Sequence, residues 1–232
     1  MARLRRLVVP GLVHLLVQRG HNAQPVFVDD EDRRLYLAAL LDALRSQAVV
    51  LHAYALLDNQ VQLLLRPPSE PALGRMMQAL GRRYVAAFNR RHGRSGTIWE
   101  GRFRAGVVQD GEPTLQGMLL VDSSPARRGL AGSMHAGHWS SARHRLGLCR
   151  DPLVIDPPEF WGLGNTPFER EAAYAALLAR GLDAEQVQRI EHAAASGWAL
   201  GSPQFLAEIE RQLGRPVRPR AKGRPPRRTA GN

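Results

Sequence analysis

The chain has a single cysteine, Cys149, in 232 residues. That excludes an internal disulfide framework and any zinc site built on cysteine pairs, and it fits a reducing compartment. We therefore expect a cytoplasmic protein. Lysine is nearly absent too: Lys222 is the only one, and every other cationic side chain is arginine. Carboxylates are too few to balance them, 21 against 32 Lys and Arg, for a formal net charge of +11 and an isoelectric point near 11.2. Such an excess favours a polyanion as partner, with nucleic acid ahead of an anionic membrane surface. No apolar run approaches the roughly 18 residues of a membrane helix. The stretch Leu7 to Val17, preceded by Arg3, Arg5 and Arg6, imitates the start of an export signal. However, Pro10 and Gly11 interrupt it, His14 lies inside it, and no small-residue cleavage site follows before Gln18.

What is present is an alternation of short apolar runs and helical stripes. Leu12 to Val17 is long enough for a buried strand and too short for a helix. Asp29, Asp30, Glu31 and Asp32 supply an N-cap and a first turn that complements a helix dipole. The helix they start carries Leu37, Leu40, Leu41 and Leu44 on one stripe. Val49 to Leu57 and Val61 to Leu65 flank the turn Asp58-Asn59 and predict a hairpin. From Ser69 to about Asn89 a second helix gathers Leu73, Met76, Met77, Leu80, Tyr84 and Phe88 on one side. Arg75, Arg82, Arg83 and Arg90 fall on the other. Ala105 to Val108 predicts a fourth strand, and Pro113 to about Val121 a third helix that stops before Ser123-Ser124-Pro125.

Strand, helix, strand, strand, helix, strand is the ferredoxin-like split βαβ plan: an α+β domain with an antiparallel sheet covered by helices on one face. We expect it to fill residues 1–125. Residues 126–165 are rich in glycine and proline and read as a loop-rich, weakly packed connector. Residues 166–214 read as a helical extension, with patterns over Phe168 to Arg180, Asp183 to Ala195 and Phe205 to Leu213. Residues 215–232 form a basic, proline-interrupted tail expected to be disordered until it meets an anion. In it, Lys222-Gly223-Arg224-Pro225 is similar to the core of an AT-hook, whose cations enter a narrow minor groove. His135, His138, His144 and Cys149 fit no standard zinc spacing and read as polar loop residues.

Several blocks, taken in order, resemble one family. They are Pro10-Gly11-Leu12-Val13-His14, Arg19-Gly20-His21-Asn22, Val26-Phe27-Val28-Asp29-Asp30-Glu31-Asp32-Arg33 and His52-Ala53-Tyr54-Ala55-Leu56-Leu57-Asp58-Asn59. Phe88-Asn89-Arg90-Arg91-His92-Gly93, Trp99-Glu100-Gly101-Arg102-Phe103, Pro125 with Arg127, and Trp139-Ser140-Ser141 follow. The chain resembles the single-tyrosine transposases of the HUH class, in the branch of REP-associated tyrosine transposases. The resemblance implies a protein that binds a single-stranded DNA hairpin and, in active members, cuts and rejoins it. In that family two histidines at i and i+2 of a strand share one face and hold a divalent cation. A tyrosine on the helix after the fourth strand then attacks the phosphate.

This chain departs from that pattern at the reactive positions. Its strand reads Asn59-Gln60-Val61-Gln62, with glutamines at both histidine positions, and Leu120 stands where the tyrosine should be. An amide oxygen is a weaker ligand than imidazole for a transition metal. A leucine cannot attack phosphorus. We therefore expect a DNA-binding protein of the transposase family without cofactor, its catalytic positions lost at Gln60, Gln62 and Leu120. The alternative is an active strand-transferase using Mg²⁺ or Mn²⁺, and a third, of another class, is an RNA-binding module. The expected DNA contacts are Arg75, Arg82, Arg83, Arg90 and Arg91 of the second helix, Arg102 and Arg104 near the fourth strand, and Lys222 and Arg224 of the tail. Trp99 and Phe103 are expected to stack bases. The expected partner is single-stranded DNA with a duplex stem, bound by a monomer or a homodimer.

Overall fold

The structure, a computed structural model, describes residues 6–129 and 139–219. The AT-hook-like segment with Lys222 and Arg224, and also His135 and His138, lie outside the described residues. Strands β1 (Val13–Arg19), β2 (Val50–Leu57), β3 (Gln60–Arg66) and β4 (Arg104–Val108) form one antiparallel sheet in the order β2-β3-β1-β4. Helix α1 (Asp30–Gln47) joins β1 to β2, α2 (Glu70–Arg91) joins β3 to β4, and α3 (Glu112–Arg127) follows β4. The fold is the α+β, split βαβ arrangement that the order of apolar runs predicts. Asp29 caps α1 by accepting the Asp32 N–H at 3.0 Å, so the acidic run starts the helix.

The expectation of helices on one face needs correction. Leu16, Leu51, Leu63 and Leu65 turn to one side of the sheet, where α1 and α2 cover them. Val13, Leu15, Ala53, Ala55 and Leu64 turn to the other, where α3 meets α6 (Pro167–Arg180) and α7 (Ala184–Ser196). The strand runs are apolar on both faces and not alternating, which marks a sheet buried on both sides. Full burial of Tyr174 and Ile190 on that second face supplies about 1.5–3 kcal/mol each. The helices that seemed an extension are thus a layer of the domain. Gly106 shows how close they come: a Cβ there would lie 2.6 Å from the Trp198 carbonyl and 2.8 Å from that of Ala193.

The connector also differs from expectation, because its described part packs tightly. It lies along the free edge of β2, where Leu56 N–H donates to the Trp139 carbonyl at 2.8 Å and Ser141 N–H to the Tyr54 carbonyl at 3.0 Å. The opposite edge, on β4, is capped in the same way, with Leu200 N–H on the Val107 carbonyl at 2.7 Å. Neither edge offers a free ladder to a second copy. Within the connector, α4 (Ala142–Arg145) and α5 (Pro158–Trp161) frame the fully buried Arg145. Its Nη1 donates to Asp122 Oδ2 at 2.8 Å, and its Nη2 donates to the His52 carbonyl. Tyr174 Oη donates to Asp122 Oδ2 at 2.7 Å, and the Ser141 hydroxyl donates to Oδ1. Helix α8 (Pro203–Leu213) closes a third small cluster of Leu7, Val9, Val107, Ile209 and Val217. Among the described residues no helix is long and apolar enough to cross a membrane.

Helix α3 does not stop before Ser123. It runs through Pro125 to Arg127, because the Ser123 and Ser124 hydroxyls lie 3.3 and 2.7 Å from the Leu120 carbonyl and support the turn that proline weakens.

Two stability measurements test this account. Asp122→Asn takes from a buried guanidinium the nearer and more deeply buried of its two carboxylates, the other being Asp156 at 3.3 Å, so chemical denaturation should show a loss of about 3 kcal/mol. Pairing Asp122→Leu with Arg145→Met should recover most of it. His14 is the second case: its Nε2 accepts the Val9 N–H at 3.1 Å and its Nδ1 donates to the Leu12 carbonyl at 2.9 Å. Burial, against the hydrogen bond to Leu12, lowers its pKa to about 4. The folded state holds His14 neutral while the unfolded chain protonates it near pH 6.5, so this contribution is complete above pH 6.5 and lost as pH falls to 4. About 3 kcal/mol should go in that window. His14→Gln, which offers an amide acceptor toward the Val9 N–H and cannot titrate, should lose correspondingly less over the same range.

Candidate functional site

A pocket of about 210 Å³ opens on the second face of the sheet, between β1, β3, β4, α3 and α7. Register explains its lining. Across the antiparallel pairs, Gln62 lies opposite Val17 and Val17 opposite Arg104, so these three form one cross-strand row. Gln60 lies opposite Arg19 in the next row. Residues directly opposite share a face. The two glutamines therefore point with Leu64 into the second face, while Val61 and Leu63 point into the first. From above, α3 contributes Leu120, and α7 contributes Glu191, Ala194 and Ala195.

Gln60, Gln62 and Leu120, the three positions singled out by the resemblance, thus meet in one cavity. All three are buried, the glutamines at its floor and Leu120 on the α3 side. Arg19, Arg102, Arg104 and Arg128 also line it, with Glu100 and Glu191 as its carboxylates. These four guanidinium groups are exposed, and they outnumber the acids two to one. The pocket is a cationic mouth over an amide and hydrocarbon floor.

The floor's polar atoms are already engaged. Arg19 Nε donates to Gln60 Oε1 at 3.0 Å, and since a guanidinium can only donate, the amide oxygen is the acceptor. The Ser124 hydroxyl lies 2.7 Å from Gln62 Oε1 and 2.7 Å from the Leu120 carbonyl, and it accepts Arg127 Nη2 at 3.1 Å. Arg127 in turn lies 3.5 Å from Glu191, and Arg104 Nη1 donates to the Ala195 carbonyl at 2.8 Å. These contacts fasten α7 over the pocket.

A divalent cation does not fit this floor. Its first amide oxygen faces a guanidinium, which repels a cation, and its second is shared with a hydroxyl. Among the described residues no three His, Cys, Asp or Glu side chains gather to hold a metal ion. His144 pairs instead with Asp156 at 3.2 Å.

The other residues expected to touch DNA are scattered. Trp99 and Phe103 are not free to stack bases: both are buried in the first-face core, where Trp99 sits 6.5 Å from Tyr36 and 6.4 Å from Tyr84, ring centre to ring centre. The Arg6 guanidinium covers Phe103 at 3.8 Å. Arg91 is held by Asp29 and by the buried Asp32, and Arg83 pairs with Asp42. Arg75, Arg82 and Arg90 are exposed, but on the outer side of α2, across the sheet from the pocket. The expected single cationic surface is therefore two. Reading the sequence missed Arg19, Arg127 and Arg128. The pairing of Arg19 with Gln60 depends on the register of β1 against β3, 41 residues on, which no turn fixes; the others depend on α3 continuing past Pro125.

With this geometry in place, the comparisons are specific about fold. No protein-family model matches the chain, and no curated protein does. A solved structure of a REP-associated tyrosine transposase bound to a REP hairpin superposes with a TM-score of 0.55 at 12% identity. The match covers 68% of this chain and 93% of that one. The chain shares that fold. A transposase candidate from Deinococcus radiodurans, 20% identical over 56% of this chain and 94% of its own, reaches a TM-score of only 0.37 and adds no weight.

The floor geometry predicts a specific metal response. Titrated with Mn²⁺ and followed by the signal of the free ion in electron paramagnetic resonance, the parent chain should leave the signal unchanged. Gln60→His with Gln62→His should deplete it stoichiometrically, because two imidazoles on one strand face then replace the engaged amides.

Proposed function

We propose that this chain is a DNA-binding protein of the transposase family, which recognises single-stranded or hairpin DNA and leaves it uncut. One observation carries the reading: Gln60, Gln62 and Leu120 line the very pocket where the resemblance places two metal-binding histidines and a nucleophilic tyrosine, and four arginines surround them. The solved structure that shares the fold is bound to a REP hairpin, which supports the same class of ligand here.

In this reading each group has a physical role. Arg19, Arg102, Arg104 and Arg128 draw in and neutralise the sugar-phosphate backbone of a strand entering the pocket. Arg19, held by Gln60, meets it with less loss of side-chain freedom than a loose arginine. With their amide oxygens engaged, Gln60 and Gln62 still offer their amide N–H groups as neutral donors to a base acceptor or a phosphate oxygen. Chemistry stops there. Leu120 carries no lone pair, and the nearest hydroxyl, on Ser124, is fully buried and engaged at once with Gln62, Leu120 and Arg127. The strand is held beside groups that cannot form a covalent bond to phosphorus.

Two results are expected. In gel retardation with a hairpin carrying a single-stranded flank, log affinity should fall with log salt by about 0.7 per single-strand phosphate neutralised. Arg102→Ala with Arg104→Ala should lower that slope by about 1.4. Salt-independent binding, or none, contradicts the proposal. In addition, Gln60→His, Gln62→His and Leu120→Tyr combined should gain metal-dependent strand cleavage, assayed beside the inert parent. Cleavage by the parent itself contradicts the proposal.

A further inference from the structure

We propose that the outer face of α2 is a second nucleic-acid surface, separate from the pocket, and that its ligand is the phosphate backbone of a duplex. The contrast with α1 carries the inference. On α1 two of the three arginines are matched by acids of the protein: Arg34 pairs with Glu31 at 3.1 Å, and Arg33 with Asp30 at 3.5 Å and with Asp58, while Arg45 in the last turn stands alone among the described ion pairs. On α2 only the two arginines turned toward α1 and its N-terminus have such partners, Arg83 with Asp42 and Arg91 with Asp29 and Asp32. Arg75, Arg82 and Arg90 make no ion pair among the described residues, and the sole carboxylate in the 22 residues of α2 is Glu70 at its first position. A face kept only for solubility mixes both signs. This one does not.

Its shape suits a backbone. Between Arg75 and Arg90 the other exposed positions are Gln78, Ala79, Ala86 and Arg83, the last turned aside to Asp42. Nothing bulky stands between the guanidinium groups to hold a phosphate chain away. Seven and eight residues separate the arginines, or about 10.5 and 12 Å at 1.5 Å per residue. Measured along a duplex axis, where one strand presents a charge about every 3.4 Å, these intervals span about three to three and a half charges. The stripe is rigid because the opposite side of α2 buries Leu73, Met76, Leu80, Tyr84 and Phe88. The sheet and the body of α2, a helix about 10 Å across, lie between this stripe and the pocket. One straight duplex cannot occupy both, so the protein can hold a strand on one side and a duplex on the other.

The test uses the full chain with two probes, a single-stranded oligonucleotide and a blunt duplex of matched sequence. Arg75→Ala, Arg82→Ala and Arg90→Ala together should lower the salt slope for the duplex by about 2.7, at 0.9 per phosphate, and keep single-strand affinity within about twofold. Arg102→Ala with Arg104→Ala should weaken the single strand and leave the duplex slope unchanged. The three α2 substitutions sit at exposed positions without an ion pair among the described residues, so thermal melting should be unaltered and serves as their folding control. An unchanged duplex slope in the α2 variant overturns the inference, since the basic tail would then account for duplex binding. A parallel loss of both probes overturns it as well, because the two faces would then be one surface. If the unmodified chain bound the duplex as expected but not the single strand, the pocket reading would fail and the α2 inference would stand.

Discussion

The carboxylate of Asp122 accepts hydrogen bonds from Ser141 and Arg145, at the two ends of α4, and from Tyr174 of α6, so that it ties α3 to two segments distant in sequence. Removing two opposite charges from water costs several kcal/mol per ion, and that cost is recovered only when the remaining donors and acceptors face partners. Here the Arg145 Nη1 and Nη2 groups donate to Asp122 and to the His52 carbonyl, and Nε, without a hydrogen bond of its own, has the charge of Asp156 3.3 Å away. The match fixes α3 against the strip that caps β2 and against α6. Because α3 also supplies Leu120, Ser124 and Arg127, the pocket's upper wall is held by a buried charge that no ligand touches. Its geometry does not depend on the residues that would do chemistry. Substitution at Gln60, Gln62 and Leu120 can therefore remove reactive groups and leave the container intact.

Two consequences for binding follow from a sheet covered on both sides. The second-face helices narrow what would otherwise be an open sheet surface into a cavity, with α7 fastened by Arg104 and Arg127. The first-face helices place α2 on the far side, where its unpaired arginines face solvent. Capping of both sheet edges leaves side chains, not backbone ladders, as the means of recognition. In a chain so rich in arginine, the distinction that matters is between guanidinium groups engaged by carboxylates and those left for an outside anion.

Much of the fold was legible in the sequence. Strand runs bounded by turns, the acidic cap at Asp29 and the stripe on α2 each follow from local rules, and their order named the topology. The number of helical layers is also present as a pattern, in strands whose apolar residues run on consecutively and do not alternate with polar ones. Arg145 was not legible. Its partner lies 23 positions away and it stands among other arginines in a glycine-rich stretch, with no periodicity to mark it as buried. Trp99 and Phe103 misled for a related reason: beside arginines they resemble a stacking platform, whereas the aromatic partners that bury Trp99 are Tyr36 and Tyr84, remote in the chain. In the candidate site, the floor was legible through the resemblance, and the cationic mouth only in part. Arg19 and Arg128 gain their place from sheet register and from a helix that continues through a proline.

The central claim is that this scaffold grips a folded strand with groups that cannot break it. Native mass spectrometry of the unmodified protein with a flanked hairpin and Mg²⁺ or Mn²⁺ tests both halves in one measurement. The account predicts a complex with the summed mass of the protein and the whole oligonucleotide, which separates on denaturation into both components unchanged. A protein that keeps a piece of the oligonucleotide after denaturation, or a mixture in which no complex forms, would contradict it.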